Sequence, residues 1–186
     1  MAMQKIISIS AMLCAISIMP LDALEAKSVS DAKDPCRLGR SQHASGDVLK
    51  AIKTLSKCVE QQPRNREAWV ALANSALEAG RFSQSADGFA NAEAIKPGDE
   101  MFLMGYLSAL EGAGEIEKRI PVLFRLASMK RADRNDAKRL LAAIEAADPG
   151  PSKYPEEYLF ALQALTDDAG ADRYHVEKLA EAYLKR

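Results

Sequence analysis

The residue types that most often perform catalysis are scarce in this chain of 186 residues, which has two histidines and three cysteines. Cys36 and His43 lie seven residues apart in a stretch predicted to be helical, about 10 Å along the helix axis. A nucleophilic thiol and its base must lie about 3 Å apart. Cys58 adds only a third donor, and a structural zinc site needs four. The spacing therefore predicts neither a cysteine nucleophile nor a metal site.

Glycines and acidic residues cluster near residue 113, where a phosphate loop or an acid–base pair could be built. Gly112 and Gly114 follow no strand, and no Gly-Lys-Ser sequence is present, so they indicate a turn. Glu111, Glu115 and Glu117 would lie on an open edge without the closed pocket that acid–base catalysis requires. We interpret them as solvated acids. The sequence predicts a protein that is not an enzyme and has no cofactor.

The elements that position these residues repeat at a fixed interval of thirty-four positions. Gly46, Gly80 and Gly114 keep this interval, as do Pro63 and Pro97. Three apolar series keep it too: Leu38, Leu72 and Tyr106; Leu55, Phe89 and Leu123; Cys58, Ala92 and Leu126. Each interval holds two short amphipathic helices, and such a pair needs neighbouring pairs to bury both of its faces. Abundant Ala and Leu also favour helices over sheet.

This pattern resembles the tetratricopeptide repeat (TPR) family, whose signature is W-x2-L-G-x2-Y, then A-x3-F, then P. The first unit has Leu38-Gly39, Ala51-x3-Leu55 and Pro63. The second has Trp69-x2-Leu72-Ala73, Ser85-x3-Phe89 and Pro97. The third keeps Gly114, Leu123 and Leu126, but has Arg119 at a small-residue position and Pro121 inside its second helix. The resemblance implies an all-α fold: an α-solenoid of TPR-like helix-turn-helix hairpins with a C-terminal capping helix.

The sequence divides into four predicted parts. Residues 1–26 are a predicted signal peptide, 27–33 a disordered linker, 34–131 three TPR-like repeats with the third degenerate, and 132–186 a divergent helical hairpin and C-terminal cap. Asp34-Pro35 is a typical helix start. Pro121 predicts that the sixth helix begins near Ile120 or bends there. After the break at 148–152 we expect the repeat register to be lost.

The resemblance also implies a location for the functional site. In this family the first helix of each pair lines a concave groove that holds a peptide or a partner helix. The matching positions here are Arg40, His43, Val70, Asn74, Leu77, Glu78, Met104, Ser108 and Glu111. Members that bind a C-terminal carboxylate place Lys and Asn at such positions, whereas only Asn74 matches and Val70 and Met104 are apolar. A mixed groove with an apolar floor favours an amphipathic helix or an extended peptide.

The first 26 residues have the pattern of an export signal. Lys5 precedes a mainly apolar stretch from Ile6 to Met19, and Ala23 and Ala26 offer cleavage points. A membrane span needs roughly 20 apolar residues, and this stretch is shorter, so we expect cleavage rather than a stable span, with an uncleaved tether as the alternative. Cleavage after Ala26 removes Lys5, Asp22 and Glu25 from the 25 basic and 26 acidic residues, leaving 24 of each. A neutral protein has no global field to attract nucleic acid.

Export would also give the remaining cysteines a structural role. Cys36 lies ten residues before Gly46 and Cys58 twelve residues after it, so an antiparallel hairpin brings them close together. In an oxidising compartment a disulfide here would contribute roughly 3 kcal/mol. The alternative is a pair of small buried thiols, since free cysteine packs well.

These observations predict an exported, periplasmic or secreted scaffold or assembly factor that binds another protein through its concave face. It would be monomeric or loosely associating, with no nucleic-acid partner. The alternative function is a small-ligand-binding or enzymatic accessory protein of the cell envelope, with a pocket closed by the C-terminal helices. The sequence names neither the partner nor the pathway.

Overall fold

The computed structural model describes residues 34–129, 133–147, 149–167 and 172–184. Within them the chain forms nine α-helices, one 3-10 turn at Gly150–Ser152 and no strand. The helices are α1 Pro35–Ala44, α2 Val48–Gln61, α3 Arg66–Glu78, α4 Phe82–Ile95, α5 Glu100–Gly112, α6 Ile116–Met129, α7 Arg134–Ala146, α8 Pro155–Thr166 and α9 Arg173–Leu184. Consecutive helices pack as hairpins, and the fold is the all-α solenoid that the sequence predicts. The predicted signal peptide and linker lie outside the described residues.

The helix starts follow the repeat. α3, α5 and α7 begin at Arg66, Glu100 and Arg134, and α2, α4 and α6 begin at Val48, Phe82 and Ile116, so both series keep the interval predicted from the sequence. If the interval continued, the second helix of the fourth hairpin would begin at Gly150, but α8 begins five positions later, after the 3-10 turn. The start of α9 then follows that of α8 by the same interval that separates α3 from α2. The register is therefore displaced by five positions after α7, where the sequence analysis expected it to be lost.

The first helix of each hairpin is capped by a side chain, whereas the second helices α2, α4 and α8 have no such hydrogen bond. Carboxylate or amide oxygens of residues 34, 65, 99 and 133 accept backbone N–H donors at the starts of α1, α3, α5 and α7. This cap satisfies one of the amides that a helix leaves free at its N-terminus. The turns between the helices use Gly46, Gly80 and Gly114, whose φ angles of 82°, 69° and 73° favour glycine.

The buried side chains form two clusters. The smaller runs from Cys36 to Leu72, and the larger runs from Ala73 to Leu165. Trp69 packs against both, and its indole N–H donates to the carbonyl of Pro63 at 2.9 Å. In the larger cluster the ring of Phe89 lies edge-on to Phe102, with ring centroids 5.2 Å apart. The larger cluster therefore joins the second and third predicted repeats to the C-terminal helices.

α1 and α2 are joined by a disulfide between Cys36 and Cys58, whose Cα atoms lie 5.0 Å apart. Both residues are buried, at 2% and 0% exposure. The bond closes the first hairpin near its open end, opposite the turn at Gly46.

Two details differ from the sequence analysis. α6 begins at Ile116, so Pro121 lies inside the helix and the alternative start near Ile120 is wrong. The sequence of α9 has apolar residues at i, i+3, i+4, i+7 and i+8, which predicts one buried stripe, but none of these residues is buried: Val176, Leu179, Ala180, Tyr183 and Leu184. Of the described helices, none combines the length and apolar character needed to cross a membrane.

Candidate functional site

The predicted groove residues lie on three neighbouring helices. Two of them, Arg40 and His43, belong to α1. The others lie on α3 (Val70, Asn74, Leu77 and Glu78) and on α5 (Met104, Ser108 and Glu111). α1 contacts α3, and α3 contacts α5, so the three helices present one continuous inner surface. We call this surface the inner face; it consists of the nine predicted groove positions, together with Met101 and Arg139. That it binds a partner remains a prediction.

An ion pair and a histidine–glutamate contact join α1 to α3 at the N-terminal end of the inner face. Arg40 Nη1 lies 2.5 Å from Glu67 Oε2, and His43 Nε2 lies 3.8 Å from Glu78 Oε1. The carboxylates of Glu67 and Glu78 are 76% and 55% exposed, so solvent screens both interactions. These pairs orient the side chains at this end while leaving them accessible.

The structure adds Ser75, which the sequence analysis did not single out. Its hydroxyl donates to the carbonyl of Ala71 at 2.8 Å, and its oxygen lies 3.0 Å from His43 Nδ1. Because the hydroxyl proton is used in the bond to Ala71, the Ser75 oxygen accepts from His43 Nδ1–H, which leaves Nε2 facing Glu78. A serine, a histidine and a glutamate thus lie in a row, but Ser75 is fully buried. It positions the imidazole and cannot reach a substrate as a nucleophile would.

The centre of the inner face is apolar and open. Val70 and Leu77 are partly buried against the larger core cluster, with Asn74 between them. On α5, Met104 is 54% exposed and Met101 is 83% exposed. Unbranched methionine side chains adapt to irregular surfaces and recur at binding sites. This part of the inner face can therefore accept apolar side chains from a partner.

A further ion pair lies at the other end of the inner face. Arg139 of α7 donates to Glu111 Oε1 at 2.7 Å, and Ser108 Oγ donates to the carbonyl of Met104. The pair extends the surface to α7, which the sequence analysis did not include in the groove. The sequence could have predicted that α7 contributes to the groove, because α7 begins one repeat interval after α5.

A second concavity lies between α4 and α6, with α5 as its floor. Its volume is about 330 Å³, and its lining includes Leu103, Tyr106 and Pro121. Arg125 pairs with Glu93 across it and donates to the carbonyl of Gly98 at 2.7 Å. Burial raises the pKa of Tyr106 above its usual 10.0, and the nearby acids, Glu93 foremost, raise it further. The phenol therefore stays protonated at neutral pH and offers a hydrogen-bond donor.

A third concavity, of about 370 Å³, lies between the 3-10 turn, α8 and α9, where the alternative function would place a ligand. Tyr158, Lys178 and Glu181 contribute its titratable groups. Burial raises the pKa of Tyr158, and Glu181 raises the pKa of Lys178. Both groups are protonated at neutral pH, so neither can accept a proton there. Among the described residues no group of three His, Cys, Asp or Glu side chains could hold a metal ion.

No protein-family model matches the sequence, and the comparison with curated proteins found no match. Solved structures do match. YrrB, a TPR protein with an unusual peptide-binding site, is 12% identical over 86% of this chain and 82% of its own, with a TM-score of 0.53. A structure of MamA (AMB-1) is 12% identical over 87% of this chain and 83% of its own, with a TM-score of 0.50. The fold is TPR-like. At these identities the similarity extends to the fold alone.

Proposed function

We propose that the chain is an exported scaffold or assembly factor that binds a peptide or an amphipathic helix of another protein on its inner face. The observation that carries the proposal is the apolar centre of the inner face, where Met101 and Met104 are exposed and Val70 and Leu77 are partly buried, with ion pairs at both ends. An amphipathic segment could place apolar side chains on the centre and polar ones near the ends. The TPR-like fold supports the same interpretation, because such arrays present extended concave surfaces.

The chemistry of the inner face favours apolar contacts over capture of a chain terminus. Asn74 is the single amide among the nine predicted groove positions, and the lysines that would bind a carboxylate are missing from that set. Arg40 and Arg139 are already paired with Glu67 and Glu111. We therefore infer that the partner contributes Leu- or Met-like side chains rather than a free carboxylate.

The test is site-specific photo-crosslinking in the native cell, with the probe at Asn74 and a control probe at Asp87. Asn74 lies on α3 within the inner face, whereas Asp87 is exposed on α4. A discrete protein adduct from Asn74 alone supports the proposal and identifies the partner by mass spectrometry. Adducts from neither probe, in protein shown to be folded, would contradict it and direct attention to the C-terminal cavity.

Export is a separate part of the proposal. It is supported by the pattern of residues 1–26 and by the Cys36–Cys58 disulfide, which persists in oxidising compartments. We expect the protein in a periplasmic or secreted fraction, with its N-terminus near residue 27. N-terminal sequencing of purified native protein checks this. A chain that starts at residue 1 and stays with the cytoplasmic fraction would refute export without affecting the inner-face proposal.

A further inference from the structure

The second concavity, between α4 and α6, lies where the third hairpin has a smaller residue than the second. The fourth residue of α3 is Trp69, whose ring packs against both core clusters. The fourth residue of α5 is Leu103, which is 1% exposed and belongs to the lining of the concavity. A leucine therefore occupies the position at which the preceding hairpin has an indole ring.

A second difference between these hairpins separates α5 from α6. Gly88 of α4 lies so close to α3 that a Cβ placed on it would be 3.0 Å from the Ala73 Cβ. One repeat interval later the equivalent residues are Val122 of α6 and Leu107 of α5, and both are larger. Because of these side chains, α6 cannot approach α5 as closely as α4 approaches α3. The smaller Leu103 and the wider crossing together account for a concavity of about 330 Å³.

The lining has an apolar part that suits a ring. Leu103 and Val122 are 1% and 6% exposed, and the ring of Pro121 lies beside them. The ring of Tyr106 is held in place by stacking on Phe89, with ring centroids 5.9 Å apart. A volume of about 330 Å³ is at the small end of ligand pockets, so the concavity suits a single ring system.

The charged groups around the concavity are paired with one another. Arg125 pairs with Glu93, and Lys118 Nζ lies 3.3 Å from Glu115 Oε1. The phenol of Tyr106 makes no hydrogen bond to the part of the chain that the structure describes, and a neutral hydroxyl can both donate and accept one. The site therefore offers one neutral polar atom beside an apolar surface, which favours a neutral ligand.

We propose that the second concavity binds a small, neutral aromatic compound of about the size of indole. The ring lies against Leu103 and Val122, and its N–H or O–H donates to the phenol oxygen of Tyr106. The second hairpin provides the precedent, because the Trp69 indole fills the equivalent position and donates its N–H to the carbonyl of Pro63. None of the lining residues belongs to the inner face, so this site is independent of what the inner face binds.

The surroundings of the concavity favour a free compound over the tryptophan side chain of a partner protein. Its lining consists of only seven residues, and ion pairs occupy the helix surfaces beside it. A peptide that inserted a tryptophan would need further contacts for its backbone on each side of the ring. A free ring needs none.

Titration of the purified protein with indole, followed by methyl NMR, tests the proposal. We expect saturable shifts of the Leu103 and Val122 methyl signals, with a dissociation constant of about 0.1–1 mM, as suits a ligand of few atoms. The methyl signals of Leu77 on the inner face and of Leu159 in the third concavity should not move. Shifts at those residues in place of Leu103 and Val122 would overturn the proposal, as would the absence of any shift.

Leu103→Trp gives the third hairpin the residue that the second already has. It should weaken indole binding at least about tenfold, because the new side chain occupies the concavity. Leu49→Trp is the matched control, since Leu49 is 65% exposed on α2, and it should leave binding unchanged. A folded Leu103→Trp variant that binds indole like the wild type would contradict the assignment. The titration of the wild type decides the question even if that variant does not fold.

N-acetyltryptophanamide carries the same ring on a peptide unit, and it distinguishes a free compound from the side chain of a partner. We expect it to bind more weakly than indole in the same titration. Tighter binding of N-acetyltryptophanamide would overturn the assignment to a free compound and would assign the concavity to a tryptophan of a partner protein.

Discussion

At the scale of single residues, close packing between α3 and α4 depends on the absence of one side chain. Gly88 leaves room for the backbone of Ala73, whose Cα and N would lie 3.2 and 3.3 Å from a Cβ placed on Gly88. Backbone atoms cannot move aside as the end of a flexible side chain can. This contact lies at the start of the larger core cluster, so a change there affects the packing of two helices.

We predict that Gly88→Ala destabilises the protein by about 1–2 kcal/mol, because the overpacking cost exceeds the gain in helix propensity of about 1 kcal/mol. The midpoint of urea unfolding measures the effect. Ala90→Ser, on the exposed side of the same helix, is the control and should be nearly neutral. A Gly88→Ala variant as stable as the wild type would mean that α3 and α4 are less closely packed.

The disulfide gives a second prediction. Reduction, or replacement of both Cys36 and Cys58 by Ala, should lower the free energy of unfolding by about 3 kcal/mol, because the bond closes a loop between residues 22 apart in sequence. Urea unfolding with and without reductant measures the loss, and the double Ala variant should not respond to reductant. Two reactive thiols in the denatured, unreduced processed protein would show that the bond is absent.

A pH prediction follows from Tyr106. Its pKa in the folded protein is raised by burial and by Glu93, Asp87 and Glu115, so folding favours the neutral phenol. The associated stability is fully present below pH 10.0, the ordinary tyrosine value, and is lost as the pH rises toward the folded pKa. The urea midpoint should fall as the pH rises above about 10, and fall less in Tyr106→Phe. Equal losses in both proteins would contradict this.

At the scale of elements, the two helices of each hairpin are specified differently. First helices begin with an Asp or Asn cap, while α2, α4 and α8 depend on packing and on the preceding turn. Pro121 shows how far packing dominates: α6 keeps its helical form although Pro121 supplies no N–H for the carbonyl of Glu117. The buried neighbours Ile120, Val122 and Leu123 hold the helix in place.

We predict that Pro121→Ala stabilises the protein by about 1–3 kcal/mol, since an interior proline costs about 3 kcal/mol and packing has already offset part of this. Pro155→Ala is the matched control, because Pro155 occupies the first turn of α8, where proline fits. Thermal unfolding of both variants measures the difference. A lower melting temperature for Pro121→Ala would indicate that α6 needs the local geometry that proline imposes.

The helices and their order could be predicted because period, turn glycines and Asx caps are all local signals. The start of the sixth helix was ambiguous, because Pro121 is compatible both with a helix that begins near Ile120 and with a longer helix that contains the proline. The sequence does not show that residues before Pro121 also pack as helix. The shift at α8 was missed because an insertion of five residues hides a periodic signal. Ser75 was missed because its role depends on His43, 32 residues away in sequence. The burial of α9 could not be read from its stripe, because burial depends on what lies opposite.

At the scale of the whole molecule, the two ends of the solenoid differ. The N-terminal hairpin shares a separate core cluster with α3 and has a covalent bond, whereas α9 has no buried residue. In repeat proteins the stability is approximately the sum of the stability of each repeat and of the interfaces between neighbouring repeats. A perturbation at one end of the array therefore has little effect on the stability of the other end. The inner face lies between them on α1, α3, α5 and α7.

We predict that amide hydrogen exchange in native conditions is fastest in α9, slower in α8, and slowest in the helices of the larger core. α1 and α2 should exchange more slowly than α9, although the first hairpin and α9 each lie at an end of the described array. Reductant should accelerate exchange in α1 and α2 and leave α9 unchanged, which provides an internal control. Uniform exchange along the chain would mean that the array opens as one cooperative unit.

The bond between Cys36 and Cys58 also affects how the chain would be degraded. Among the described helices, a processive protease that pulls from the C-terminal side meets α9 first, and α9 has no buried residue that would resist its removal. A protease that pulls on the N-terminus meets a loop closed by a covalent bond, which pulling alone does not open. The turnover of this protein would therefore depend on the direction of pulling, with the C-terminal end as the susceptible one.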